Sequence, residues 1–148
     1  RSWALNSISV KASEYLSFLN TKIQRIALSE KARDVSIACY SKTEVLELES
    51  LSGGEQVSIA LSLRLGMAHL LGSSNLNFMI LDEPTTHLDS ERRKALVEVL
   101  SQLANIKGEN TSMQFIIISH DAEIFEDSSV ENIYKFESAI DGTVVSLL

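Results

Sequence analysis

The chain has one cysteine, Cys39, and one proline, Pro84, among its 148 residues. A single cysteine excludes an internal disulfide and a cysteine-based metal cluster, and it points to the reducing cytosol. It sits in Val35-Ser36-Ile37-Ala38-Cys39-Tyr40, a strand-like run, so it is expected as a small buried side chain and not as a reactive thiol. No apolar run approaches the roughly 20 residues of a membrane span, and the first residues lack the charged-then-apolar pattern of a signal peptide. No histidine, cysteine and carboxylate set has zinc spacing, which leaves His69 and His87 with weak functional cases. Internal repeats and low-complexity tracts are also lacking.

An apolar fraction of 45% is enough to fill the core of one domain or one lobe. The net charge of −7 is unevenly spread. Residues 1–33 hold six basic and two acidic residues, a net +4, whereas the other 115 hold seven basic and eighteen acidic, a net −11. A basic nucleic-acid surface over the whole chain is therefore excluded, and any such contact is local, with residues 1–33 as the candidate, or comes from another subunit.

Leu5, Ile8, Ala12, Tyr15, Leu19, Ile23 and Ile26 recur at three- and four-residue spacing, which predicts a helix over the first segment. It reads equally as a short coiled-coil seam or as an amphipathic helix packed on its own domain. The chain starts mid-pattern at Arg1 without a Met, as a piece of a longer protein would. Strands are expected at Val35–Tyr40 and Val45–Leu48, separated by Ser41-Lys42-Thr43. A long apolar helix from about Glu55 to Leu71 stops at Gly72-Ser73-Ser74-Asn75. The strand Phe78–Leu81 is followed by a helix capped by Ser90 and running to about Ile106, closed by Lys107-Gly108-Glu109-Asn110. Phe115–Ile118 is a second buried strand. A short helix around Ala122–Phe125 leads to strands near Ile133–Phe136 and Thr143–Leu147, with a turn at Asp141-Gly142. This alternation predicts an α/β fold with a mostly parallel sheet flanked by helices.

The chemistry is concentrated in Leu81-Asp82-Glu83-Pro84-Thr85-Thr86-His87-Leu88-Asp89. A buried strand that ejects two carboxylates at its C-terminal end suits a metal-bound phosphate and the water that attacks it. Asp82 is placed to hold magnesium, directly or through water, and Glu83 to orient and deprotonate the attacking water. In Leu51-Ser52-Gly53-Gly54-Glu55-Gln56, two glycines open the backbone N–H groups at a helix start whose dipole favours an anion, and the Ser52 hydroxyl can donate to a phosphate oxygen. His120 emerges from the end of its strand, where it can contact a terminal phosphate. The loop that cradles β- and γ-phosphates is absent: no Gly-x-x-x-x-Gly-Lys-Ser/Thr occurs, and Lys42-Thr43 has no neighbouring glycine.

Together these segments resemble the C-terminal lobe of an ABC-type ATPase. Leu51–Gln56 is similar to the signature, Phe78–Glu83 to Walker B, Thr85–Asp89 to the D-loop and Ser119–Asp121 to the switch-histidine segment. Glu55, where transporters usually carry Gln, and Asp82-Glu83-Pro84-Thr85, where cohesin and condensin types read Asp-Glu-Val-Asp, point to the SbcC-type, SMC-like ATPases of the double-strand-break repair nuclease complex. The resemblance implies residues 1–30 as a coiled-coil base and 31–148 as the C-terminal ATPase lobe. It implies Glu83 and His120 as catalytic, Ser52, Gly53, Gly54, Glu55 and Asp89 as nucleotide-contacting, and Asp82 as the metal residue. ATP and Mg2+ are the implied cofactors. The implied partners are an N-terminal Walker A lobe of the same ATPase, a second head, a repair nuclease subunit and double-stranded DNA, with no membrane. The implied location is the cytoplasm or nucleoid, or the nucleus in a eukaryote. Arg64 fits a relay from nucleotide to coil, or a plain snorkelling arginine, while Gln56 stands where relatives are often basic. A transporter or translation-factor ATPase fragment and a non-catalytic nucleotide clamp remain the alternatives.

Overall fold

The computed structural model describes residues 2–32, 34–72, 78–106, 113–121, 124 and 130–148. In chain order these form helix α1 (Ser2–Leu16), strands β1 (Arg25–Lys31), β2 (Asp34–Tyr40) and β3 (Val45–Glu47), helix α2 (Gly53–Leu71), strand β4 (Phe78–Asp82), helix α3 (Ser90–Ala104), and strands β5 (Gln114–Ile118), β6 (Tyr134–Ala139) and β7 (Gly142–Leu147). A single 3-10 turn, Leu48–Ser50, leads into α2.

The first helix is shorter than its apolar stripe predicts. It ends at Leu16, Ile23 falls in the following loop, and Ile26 lies in β1, an unexpected strand. The stripe nevertheless marks burial correctly, because Ala12, Leu16, Leu19, Ile23 and Ile26 are all core residues. Two serines explain the docking of β1. The backbone N–H of Ile26 donates to Ser13 Oγ at 3.0 Å and that of Leu28 to Ser9 Oγ at 2.8 Å. The same hydroxyls donate to carbonyls one turn back, Ser9 to Leu5 and Ser13 to Ser9. The free edge of β1 is thereby satisfied by side chains of α1 instead of being left open. Across its other edge β1 pairs antiparallel with β2 through seven residues, and β2 with β3 through three.

Helix α2 lies across α1. A Cβ at Gly66 would stand 3.0 Å from both Ala12 N and Ile8 O, so only glycine permits this approach. Val57, Ile59, Leu61 and Leu65 face the core, while Arg64, Met67 and Leu71 face outward. Cys39 is free and buried, as its setting predicts, and desolvation raises its thiol pKa. Helix α3 buries Leu96, Val97, Val99, Leu100 and Leu103 and connects β4 to β5.

The expected mostly parallel sheet is represented, among the described residues, by the two strands β4 and β5, in register from Phe78↔Gln114 to Asp82↔Ile118. The other sheets, β1–β2–β3 and the β6–β7 hairpin, are antiparallel. Local alternation predicts strands but not the partner each will take, because pairing is settled by long-range packing. The expected stop at 73–75, the loop at 107–110 and most of the helix around 122–125 lie outside the described residues.

Candidate functional site

The β4–β5 pair delivers four polar residues to one edge. Asp82 is the last residue of β4, opposite Ile118, and Ser119 and His120 follow β5 directly. The backbone N–H of Glu83 bonds to Ile118 O at 2.8 Å, which carries the pairing one residue past the strand. Glu83 then takes φ 46°, a left-handed conformation that costs a non-glycine residue of order 1–3 kcal/mol and is found where a site requires it. The result is a 3.0 Å contact between Glu83 Oε1 and His120 Nδ1. The hydrogen bond and charge of Glu83 raise the His120 pKa above its ordinary 6.5. Glu83 Oε2 is buried without a hydrogen-bond partner, so this carboxylate retains an unused acceptor. Asp82 is exposed beside it.

The signature segment forms a second group. Ser52 is the N-cap of α2 and accepts from Glu55 N at 3.3 Å, while Glu55 Oε2 accepts from Ser52 N at 3.0 Å, a full capping box. The Ser52 hydroxyl thus accepts locally and keeps its proton for another acceptor. Glu55, expected at the nucleotide, also serves the cap and meets Lys22, whose Nζ lies 3.6 Å from Oε1. Gly53 and Gly54 have a role the sequence does not announce. A Cβ on Gly53 would come within 3.1 Å of Arg92 Cγ, a tight contact, and one on Gly54 would stand 3.4 Å from Ala95 Cβ, so α3 packs directly on this glycine pair.

Asp89, not Ser90, caps α3. Its Oδ1 accepts from Arg92 N at 2.8 Å and its Oδ2 pairs with Arg92 Nη1. Aspartate wins because one carboxylate can serve both the backbone and the guanidinium. The Arg92 backbone hydrogen bond, followed by its charge, lowers the Asp89 pKa.

Three residues escape sequence reasoning. Arg92 Nη2 reaches Gln56 Oε1 at 2.9 Å, and Gln56 Nε2 donates to the carbonyls of Leu48 and Leu51 at 3.1 and 3.2 Å. Arg93 pairs with Asp121, next to His120, at 3.1 Å. One signal was available: two arginines in the first turn of a helix oppose its dipole and call for specific anionic or polar partners. Of the basic residues proposed for nucleic acid, Lys11 pairs with Glu14, Lys22 with Glu55, and Arg25 stacks 3.8 Å over Tyr40, while Arg1 and Arg33 lie outside the described residues. His87 is exposed at φ 68°, His69 is half-buried, and Arg64 is exposed on α2.

Among the described residues no group of three or more histidines, cysteines and carboxylates could enclose a metal. A lone carboxylate at a strand end fits a magnesium ion that keeps its water and shares phosphate oxygens.

The family model of the RecF/RecN/SMC N terminal domain matches residues 4–144. The chain belongs to this family. This SMC-family chain is 38% identical over 101 residues to the DNA double-strand break repair Rad50 ATPase of Methanocaldococcus jannaschii, covering 68% of the chain and 10% of that protein. To the Rad50 ATPase of Sulfurisphaera tokodaii it is 31% identical over 145 residues, covering 98% of the chain and 15% of the relative. The chain therefore spans a small part of these relatives' length. A chain solved in work on ATP-driven dimerization and DNA-stimulated activation of SMC ATPases superposes with TM-score 0.63 and 19% identity, covering 97% of this chain and 84% of that one. That likeness shows the fold: an α/β, SMC head-like arrangement of three helices and mixed sheets. No helix among the described residues is long and apolar enough to cross a membrane.

Proposed function

We propose that residues 31–148 are the C-terminal lobe of the ATP-hydrolysing head of an SMC-like double-strand-break repair ATPase, with residues 1–30 at the base of its coil. The observation that carries this reading is the Glu83–His120 pair at the C-terminal edge of parallel strands, with one Glu83 oxygen still unused. Magnesium ATP supplies the transferable γ-phosphoryl group and the metal's electrophilic assistance. Asp82 would hold the metal, directly or through its water. Glu83 orients water and takes its proton, and His120, tethered through Nδ1, offers its other ring nitrogen outward to a phosphate oxygen. Ser52, with its N-cap already satisfied, donates its hydroxyl proton at an α2 N-terminus whose remaining N–H groups favour negative charge. Asp89 lies with the signature group and acts at the surface between heads.

Two exposed faces support a missing complementary lobe. Phe78, Ile80, Ile116 and Ile118 share one open face of the β4–β5 pair, although parallel sheets are covered on both sides. Tyr134, Phe136, Val145 and Leu147 line one open face of β6–β7, and a lone two-stranded hairpin is marginal in water. The lobe that covers them brings the phosphate loop this chain lacks. Two such heads would then close over ATP, and their opening on hydrolysis would gate double-stranded DNA and a nuclease subunit. Arg64, exposed on α2, is the candidate relay toward the coil.

The test is reconstitution. This chain alone should give no ATP turnover, and the assembled head should hydrolyse ATP. Glu83→Gln in that head should lower turnover by roughly 10²–10⁴-fold, the range for losing a general base, while ATP-driven pairing persists. Turnover by the chain alone would remove the split-site assignment, and loss of pairing in Glu83→Gln would move Glu83 to a structural role.

A further inference from the structure

Arg92 joins two loops beside the site. Its backbone N–H and one guanidinium nitrogen hold the two carboxylate oxygens of Asp89. Its second guanidinium nitrogen holds the Gln56 carbonyl at 2.9 Å, and its stem packs against Gly53, where an added Cβ would stand 3.1 Å from Cγ. Gln56 extends the linkage, since its amide nitrogen holds the Leu48 and Leu51 carbonyls of the segment that presents Ser52.

We propose that Arg92 is a positioning residue that locks the signature segment and the Asp89 loop into one preorganised surface for head-to-head pairing; this rests on the half-head reading above. Ser52 and Asp89 are both exposed, and neither holds the other directly. The guanidinium links the two loops by hydrogen bonds, in addition to the packing of α2 on α3 at Gly53 and Gly54. If that tie is cut, each loop must be ordered separately when a second head arrives, and association bears the ordering cost. A planar fork is required because two acceptors on different elements are held by two different nitrogens. A lysine ammonium keeps the charge but lacks this geometry. Arg93, the next residue, extends the same helical turn to Asp121 beside His120, so one turn of α3 touches signature, D-loop and switch segments.

The experiment uses the full ATPase carrying this lobe, in a Glu83→Gln background that prevents turnover. ATP-dependent pairing is measured by sedimentation, and hydrogen exchange is followed over residues 48–54 and 86–91 without nucleotide. Arg92→Lys should weaken pairing about tenfold, as expected for losing a hydrogen bond to a charged group, and should accelerate exchange in both segments together. Binding of ATP to single heads, read with a fluorescent analogue at low protein concentration, should not change, whereas a general folding defect would reduce it. Gln56→Leu combined with Arg92→Lys should be no worse than the more damaging single change. Unchanged exchange in both segments of Arg92→Lys, or fully additive effects in the double variant, overturns the lock. If the unmutated full ATPase itself fails to pair on ATP, the half-head reading falls, and the exchange data still decide whether Arg92 couples the two loops.

Discussion

Leu65 and Ile80 are aliphatic side chains on regular elements, yet Leu65 has no exposed surface and Ile80 keeps 56% of its own. The contrast extends to their surroundings. Around Leu65, helices α1 and α2 cross at Gly66 and the edge of β1 is sealed by Ser9 and Ser13. Around Ile80, the parallel strands show an apolar face, and the terminal hairpin does the same with Phe136 at 69% exposure. One region is a finished core. The other leaves apolar faces open, the faces assigned above to a complementary lobe, and Asp82, Glu83 and His120 stand at its margin.

That difference can be attacked directly. In the isolated chain, Leu65→Ala should destabilise by roughly 2–5 kcal/mol in urea unfolding, the cost of a core cavity. Ile80→Ala in the isolated chain should shift unfolding by only about 0.5 kcal/mol, as for an exposed site, while weakening recovery of the phosphate-loop lobe in co-purification. Equal destabilisation of the isolated chain by both changes would erase the distinction between core and interface.

A smaller effect is expected where the two regions meet. Ser52→Ala removes a cap from α2 and should cost about 1 kcal/mol, measured by thermal unfolding of the head. It should also weaken ATP-driven pairing, and a variant that loses the cap but pairs normally would confine Ser52 to a structural role.

The smallest effect is a pH dependence at the exposed edge. Because the folded His120 pKa is raised, its pairing with Glu83 is fully present below the ordinary value of 6.5 and is lost as pH rises through the higher folded value. An NMR titration of the His120 ring should therefore show a midpoint above 6.5 that returns toward it in Glu83→Gln. An unchanged midpoint in that variant would show that the pair does not persist in solution.

Much of the site is legible in the chain because it is local. A strand, two carboxylates and a turn occupy consecutive positions, so Asp82 and Glu83 reach the sheet edge whatever packs around them. Burial was largely legible: Ala12, Leu19, Ile23 and Ile26 of the stripe are interior and Tyr15 is half-buried, even though the helix stops at Leu16 and the rest is loop and strand. Periodicity reports which residues meet the core more reliably than it reports the backbone that carries them there. The roles of Ser90, Asp89 and Glu55 were less legible. Each could cap a helix or meet a ligand, and the choice depends on whether Arg92 or Lys22 stands nearby.

By itself the sequence determined the motifs, their order, the apolar positions and the missing phosphate loop, since these follow from neighbours along the chain. Only the tertiary structure decided that Arg92 holds Gln56 across 36 positions and that Glu83 meets His120 across 37. Such contacts arise when packed helices and paired strands bring distant residues within hydrogen-bond reach, and no local pattern encodes that distance.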